Sequence, residues 1–234
     1  MTDEAAGLRE TLARACRMLE MVGLVNYSGH ITGRLPGGKS YYIHPTDLAR
    51  SEVTPDDMIE VDLQGKTVSG DGKTPDELPI HISVYRHRED VNCVIHIHPH
   101  YAIIPGVVGK DLVTVCHHAS IFGAKVPVYP NPEKIITDAE ADQMANMLGT
   151  ERAVLMKGHG AVIAEKYVEA AFLAALHLEE NARLLVDASA IGEPIPLSEE
   201  EIERAAAATF RPTSIMKSWS YFMEKAKKDG VFWD

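Results

Sequence analysis

Cysteine is scarce in this 234-residue chain, and the three present (Cys16, Cys93 and Cys116) are odd in number, with no Cys-x-x-Cys spacing. That excludes a disulfide framework and suits reduced thiols in a cytosolic protein. No apolar run approaches the ~18 residues that a bilayer-spanning helix needs, and no signal-peptide pattern marks the acidic, helix-like N-terminal segment. The expectation is a soluble, cytoplasmic protein that does not enter a membrane. A block of Lys and Arg is also missing. With 23 basic against 34 acidic residues and a net charge of −11, neither nucleic acid nor an anionic membrane is an expected partner. Internal repeats, low-complexity tracts and convincing linkers are absent, so 1–234 reads as a single domain with a sizeable core.

What is present is a succession of short strands and amphipathic helices. Leu8, Leu12, Ala15, Leu19 and Val22 recur at helical spacing over 3–22, and Gly23 marks the stop. Strand-like pieces at 30–35, 40–43 and 58–63 are separated by "PGG", "HPTD" and "TPDD" turn chemistry. A helix is expected over 77–88 and a strand over 92–98, with further strands at 113–116, 125–129, 153–156 and 161–164. Thr137 is placed to cap a helix over 138–148. The clearest helix, 167–188, carries Val168, Ala171, Ala175, Leu178, Ala182 and Leu185 on one face, which leaves His177 off the stripe as an expected surface residue. Ser198-Glu-Glu-Glu201 opens another helix with a capping-box pattern. From 198 to 234 the chain reads as a helical, aromatic tail in need of burial, on its own subunit or a neighbour, with Trp219, Phe222, Phe232 and Trp233 its largest groups. Short mixed strands flanked by helices give an α/β class.

Three of the eleven histidines crowd into "VIHIHPHYA". Alternate side chains of a strand share a face, so His96 and His98 project together while Ile97 points into the core. Two imidazoles two residues apart can reach one ion. His100 follows Pro99, where the strand breaks, and is expected to play no part in ligation. Downstream, "VLMKGHGAVI" presents His159 between Gly158 and Gly160, on a turn whose glycines let the backbone come close to an ion or substrate. Upstream, "TPDELPIH" opens a helix with Glu77, which that helix could return toward the end of the strand. Three imidazoles and a carboxylate are a plausible divalent-metal set that leaves a position for substrate.

Glu77, His96-x-His98 and the Gly-His-Gly at His159, together with "GLVNYSGHITGR" and "YIHPTDL", resemble the class II aldolase/adducin family from the first helix to about residue 188. The resemblance implies a three-layer α/β/α domain around a mixed, mostly antiparallel sheet. It also implies a homotetramer with active sites between subunits, and one divalent ion per subunit (Zn2+ or Mn2+ first, with Co2+ or Fe2+ as alternatives). The ion would be held by His96, His98 and His159, with Glu77 as the fourth ligand or as an acid/base.

Departures from the sugar-phosphate members point to the substrate. Pro75-Asp76 stands where serines commonly meet a phosphate, Gly29-His30 replaces a Gly-Asn element, and Thr46-Asp47 replaces a Ser/Thr-Gly pair. Proline has no N–H to donate and the aspartates add like charge. The residues expected to face a small carboxylate substrate are His30, Arg34, Thr46 and Asp76. His117 and His118 fall near the position of an acid/base tyrosine, and either imidazole could return a proton to carbon, with Glu77 the competitor. The favoured expectation is a metal-dependent decarboxylase of a small hydroxylated aromatic acid, resembling relatives that act on dihydroxyphthalate or hydroxypyridine-dicarboxylate. The alternatives are an aldolase or 4-epimerase of a sugar phosphate and a non-catalytic, adducin-like interaction domain.

Overall fold

The structure, a computed structural model, describes residues 3–233. Met1, Thr2 and Asp234, which belong to the expected domain and tail, lie outside the described residues. The chain opens with α1 (Asp3–Met21), whose Leu12, Ala15 and Leu19 are buried, and it stops where Gly23 takes a φ of 76°. Strands β1 (His30–Arg34), β2 (Ser40–Ile43), β3 (Ile59–Asp62) and β4 (Thr67–Ser69) follow as an antiparallel meander. Then come α2 (Leu78–His87), β5 (Cys93–Ile97), α3 (His100–Val107), β6 (Val128–Tyr129), α4 (Asp138–Leu148), β7 (Ala153–Met156), β8 (Gly160–Glu165), α5 (Val168–Ser189), α6 (Glu199–Thr209) and α7 (Pro212–Lys228).

Among the described residues the strands form one eight-stranded sheet, in the order β4-β3-β2-β1-β5-β8-β7-β6. Every neighbouring pair is antiparallel except β6–β7. Apolar residues of α1, α5 and α7 pack on one face of the sheet, with Cys93, Ile95 and Ile97 of β5. Those of α2 and α4 pack on the other, with Val94. This is the expected α/β/α sandwich. Because β5 is covered on both faces it reads as a continuous apolar run, and the period of two puts His96 on the side of Val94, toward α2 and α4.

Several sequence expectations change. The strands expected at 113–116 and 125–129 reduce to one antiparallel bridge, Val113 to Lys125, and the two residues of β6. The short α3 runs against local propensity, since Pro105 and Gly106 lie inside it. Its first-turn amides of Tyr101 and Ala102 donate to the Glu179 carboxylate of α5 at 2.9 Å, a tertiary cap that local sequence does not show. The edge strand β4 has no signature in the sequence, because its residues are all exposed and lack alternation. His177, expected at the surface, is buried at 7% exposure.

The aromatic tail finds its burial within the chain. Trp219 and Phe222 pack edge-on against Phe172 of α5, with ring centroids 5.7 and 5.3 Å away. The guanidiniums of Arg14 and Arg17 lie over Phe232 and Trp233, and Arg17 Nη1 donates to the Val231 carbonyl at 2.7 Å. The tail therefore gives no reason of its own to expect a neighbouring subunit. No helix among the described residues is long and apolar enough to cross a membrane.

His44, directly after β2, is fully buried. Its Nδ1–H donates to the Pro45 carbonyl at 2.9 Å, and Nε2 has no partner. Burial, then the positive charge of Arg50, pushes its pKa down to about 3. The unfolded chain takes a proton near pH 6.5 and the folded chain resists it to about pH 3, so the neutral form's contribution is complete above 6.5 and is lost as pH falls. Replacing His44 by Gln is expected to flatten the pH dependence of unfolding free energy by up to about 1.4 kcal/mol per pH unit between pH 6 and 4. Urea titrations at several pH values check this, and an unchanged slope would contradict it.

Candidate metal centre

The register of three strands builds the site. His30 of β1 lies opposite His96 of β5, and Ile97 opposite Ala161 of β8, so the ends of these strands meet at one edge. His98 continues β5 by one residue. His159 hangs from the β7–β8 turn, where Gly158 takes a φ of 63°. α2 returns its N-terminus to the same place, with Glu77 as its cap residue. One donor atom each from Glu77, His96, His98 and His159 lies within 4.8 Å of the others. The sequence thus named four residues that the fold brings together.

Local hydrogen bonds aim the donors. His96 Nδ1 is 3.2 Å from the Ala161 carbonyl oxygen, a contact only an N–H can make, so the lone pair sits on Nε2. That Nε2 is buried without a partner. His98 Nδ1 contacts Ser28 Oγ at 3.0 Å. Glu77 Oε2 stands 3.5 Å from His96 Nε2, and Oε1 3.7 Å from His159 Nε2. Those gaps are long for hydrogen bonds. Two ligand atoms each ~2.1 Å from a tetrahedral ion lie about 3.4 Å apart, so the spacing suits a shared cation. An orphaned imidazole nitrogen, costing about 1–3 kcal/mol if left dry, is a further fit.

Electrostatics give the same picture. Burial, reinforced by His96 and His159, lowers the pKa of His98 to about 4, and burial followed by His96 lowers that of His159. For Glu77 burial opposes ionisation, but the polar contacts with His96 and His159 and the Ile135 amide outweigh it and bring the carboxyl to about 2. Imidazoles at His98 and His159 that resist protonation, beside an ionised carboxylate, are the states that ligation needs. A carboxyl held that low carries no proton at neutral pH, which removes Glu77 as a resting acid.

Behind the cluster runs a buried polar chain. His30 Nδ1 meets His81 Nε2 at 2.7 Å, His81 Nδ1 meets Thr32 Oγ1 at 2.8 Å, and Thr32 Oγ1 meets the Tyr85 hydroxyl at 2.8 Å. Burial first, then His81 and His96, pushes His30 well below its ordinary pKa, so it offers no positive charge to a substrate carboxylate. His81 is not among the residues the motifs point to. Its signal was its position four residues after Glu77, one helical turn along the same face.

Glu77, His98 and His159 open into a cavity of about 510 Å³ that His30, Thr46, Pro75 and Asp76 also line, with His96 buried behind them. Its cations are Arg50 and Lys134, neither singled out from sequence. Buried Arg50 is locked by Nε to the Gly29 carbonyl at 2.9 Å and Nη1 to the Leu48 carbonyl at 2.6 Å. Lys134 lies near enough for its charge to lower the pKa of both His98 and His159. Asp76 is exposed and paired with Lys73 at 3.0 Å, while Asp47 is exposed and does not line the cavity. The negative charge expected there is therefore weaker than the sequence suggested.

Two sets of expected residues lie away from this cavity of the single chain. Arg34 sits at the opposite end of β1 from His30, about 13 Å along the strand, stacked on Tyr85 and donating to the carbonyls of Tyr85 and Arg88. A period of two shares a face but says nothing of reach. His117 and His118 do not line this cavity. His117 Nε2 contacts Thr209 Oγ1 and His118 Nδ1 contacts Glu180 Oε2, each at 2.9 Å, around a separate hollow. They occupy a 3-10 turn packed against α5 and α6, which no local pattern revealed.

The profile of the Class II Aldolase and Adducin N-terminal domain matches residues 10–186. A 5-deoxy-D-ribulose 1-phosphate aldolase of Bacillus thuringiensis serovar kurstaki is 32% identical over 164 residues, covering 70% of this chain and 76% of the relative. A 3,4-dihydroxyphthalate decarboxylase of Arthrobacter keyseri is 31% identical over 201 residues, covering 80% and 81%. In fold, a crystal structure of an aldolase II superfamily protein from Pseudomonas syringae superposes with a TM-score of 0.88 at 19% identity, over 99% of this chain and 96% of that one.

Proposed function

The chain belongs to the class II aldolase and adducin family, and from that premise we propose that it is a metal-dependent carbon–carbon lyase that decarboxylates a small hydroxylated aromatic acid. The observation that carries this reading is one cavity in which Arg50 and Lys134 accompany Glu77, His98 and His159 of the four-donor cluster while Pro75 and Asp76 occupy the approach to α2. Two cations suit an acid with two anionic groups. Proline offers no amide to a phosphate and Asp76 no positive charge.

Glu77, His96, His98 and His159 would hold the ion, with Zn2+ or Mn2+ ahead of Co2+ or Fe2+. When bound it supplies a Lewis acid that draws charge onto an adjacent oxygen as the carbon–carbon bond breaks. Arg50, fixed by its carbonyl partners, orients a substrate carboxylate. The bond to the departing CO2 leaves its electron pair on the ring carbon, which must take up a proton. Glu77 has none to give, so the Lys134 ammonium, facing the same cavity, delivers it from Nζ. Tyr27 lines the cavity at 90% exposure, so that side lacks a wall, and a neighbouring subunit of the proposed homotetramer would supply one.

Lys134→Arg separates charge from proton delivery, because guanidinium does not give up its proton. The expected result is a KM within a few-fold of the native value and a kcat lower by about 10²–10⁴. Lys134→Met is expected to raise KM as well. A Lys134→Arg enzyme with native kcat would remove Lys134 as donor. The reaction itself is tested by following CO2 release from hydroxy-aromatic acids beside cleavage of sugar phosphates. Cleavage of a sugar phosphate with no CO2 from any acid overturns the decarboxylase reading in favour of an aldolase. The aldolase is the second reading, favoured by the pairing of Asp76 with Lys73 and by the Bacillus relative. A purely adducin-like scaffold is disfavoured, since binding a protein requires no orphaned imidazole among four convergent donors.

A further inference from the structure

A second constellation lies outside the cavity just described. His177 and Glu180 stand three residues apart on α5, hence one turn apart on one face. His118 reaches them from the 3-10 turn His117–Phe122. One donor atom from each of the three lies within 4.8 Å of the other two, and the rings of His118 and His177 are 4.7 Å apart between centroids. Glu180 Oε2 is 2.9 Å from His118 Nδ1 and 3.9 Å from His177 Nδ1. The first contact by itself is an ordinary half-exposed ion pair.

His177 is what the ion pair does not explain. It is 7% exposed, and both of its ring nitrogens are buried with no hydrogen-bond partner. A neutral imidazole must carry one N–H and one lone pair, so both are unsatisfied here. A buried histidine kept for packing would be expected to donate to a nearby carbonyl, as His44 does. Beside it lies a hollow of about 240 Å³, which His117, His118 and His177 line.

We propose that His118, His177 and Glu180 form a second cation site, taking a divalent transition metal of the imidazole-seeking kind such as Zn2+, Co2+ or Ni2+. Two nitrogens and one carboxylate oxygen, with remaining positions open to water, suit those ions, whereas Mg2+ and Ca2+ favour all-oxygen sets. Lys217 of α7 lines the same hollow and opposes a dication, so binding is expected to be weaker than at the Glu77 cluster. The two sites share no ligand, and this one does not depend on the lyase reading.

The test is a Co2+ titration of chelator-stripped full-length chain, followed by visible absorption and by elemental analysis after gel filtration. Native protein is expected to take up two equivalents per chain, one of them weaker. Glu180→Gln, a change at a half-exposed residue, and His177→Gln are each expected to lose only the weaker equivalent, and His96→Ala only the tighter one. A single equivalent in native protein, or two in folded Glu180→Gln, overturns the proposal. Loss of both equivalents in folded His96→Ala overturns it as well, because the second site would then not stand alone. If His177→Gln fails to fold, Glu180→Gln alone decides.

Discussion

Replacing His96 by alanine is expected to strip the ion from the Glu77 cluster and to lower kcat/KM by about three powers of ten or more. The ring is fully buried, fixed by Ala161 on one nitrogen and unpartnered on the other, so no neighbouring group can take its place. A Lewis acid at the reacting oxygen contributes several kcal/mol to the transition state, and each 1.36 kcal/mol is tenfold in rate. His98→Ala and His159→Ala are expected to follow. His100→Ala is the control: it is exposed at the start of α3, beyond Pro99, and should leave metal content unchanged. Elemental analysis beside circular dichroism checks all four. Full occupancy in folded His96→Ala protein would remove the metal centre from the account.

Gly160→Ala is expected to be nearly as damaging without removing a single donor atom. A Cβ there would collide with the Ile97 carbonyl oxygen and lie 2.9 Å from His98 Cδ2 and 3.2 Å from His96 Cε1. The first neighbour is backbone in the middle of the sheet and cannot step aside, so β8 and β5 must separate where both imidazoles are mounted. Overpacking of this kind costs typically 1–3 kcal/mol, and a clash with backbone places this case at about 3 kcal/mol. Metal affinity should fall with it. Gly158→Ala calibrates the result. Its φ of 63° disfavours alanine by about 1 kcal/mol, yet the new Cβ meets open space, so metal affinity should hold. Urea midpoints of the metal-free proteins and Co2+ affinities of the same three chains separate the cases. Native stability and affinity in Gly160→Ala would show that the strands are not held as closely as the structure has them.

The two glycines around His159 show how much was legible beforehand. The sequence suggested a tight turn and a close approach; the fold assigns the first to Gly158 and the second to Gly160. Period two in "VIHIH" put His96 and His98 on one face, and the turn chemistry of "TPDEL" put Glu77 at a helix start, because both are local consequences of backbone geometry. The same local rule misled at Arg34, which shares a face with His30 but lies at the far end of the strand. It misled again at His177, off the apolar stripe of α5 yet buried, because a 3-10 turn from a distant part of the chain covers it.

Sequence by itself therefore determined the elements with strong periodicity, the α/β class, and four metal-ligand candidates, of which only His96 and His98 are brought together by local geometry. Tertiary structure alone decided which charges accompany them. Arg50 reaches the cavity only because the loop after β2 folds back on Gly29, and Lys134 only because the segment before α4 passes Glu77, donating the Ile135 amide to its carboxylate at 3.2 Å. It likewise removed His117 and His118 from that cavity and set one of them beside His177. Periodicity reports which way a side chain points from its own backbone. What it points at is fixed by the packing of elements far apart in the chain, and no local pattern encodes that.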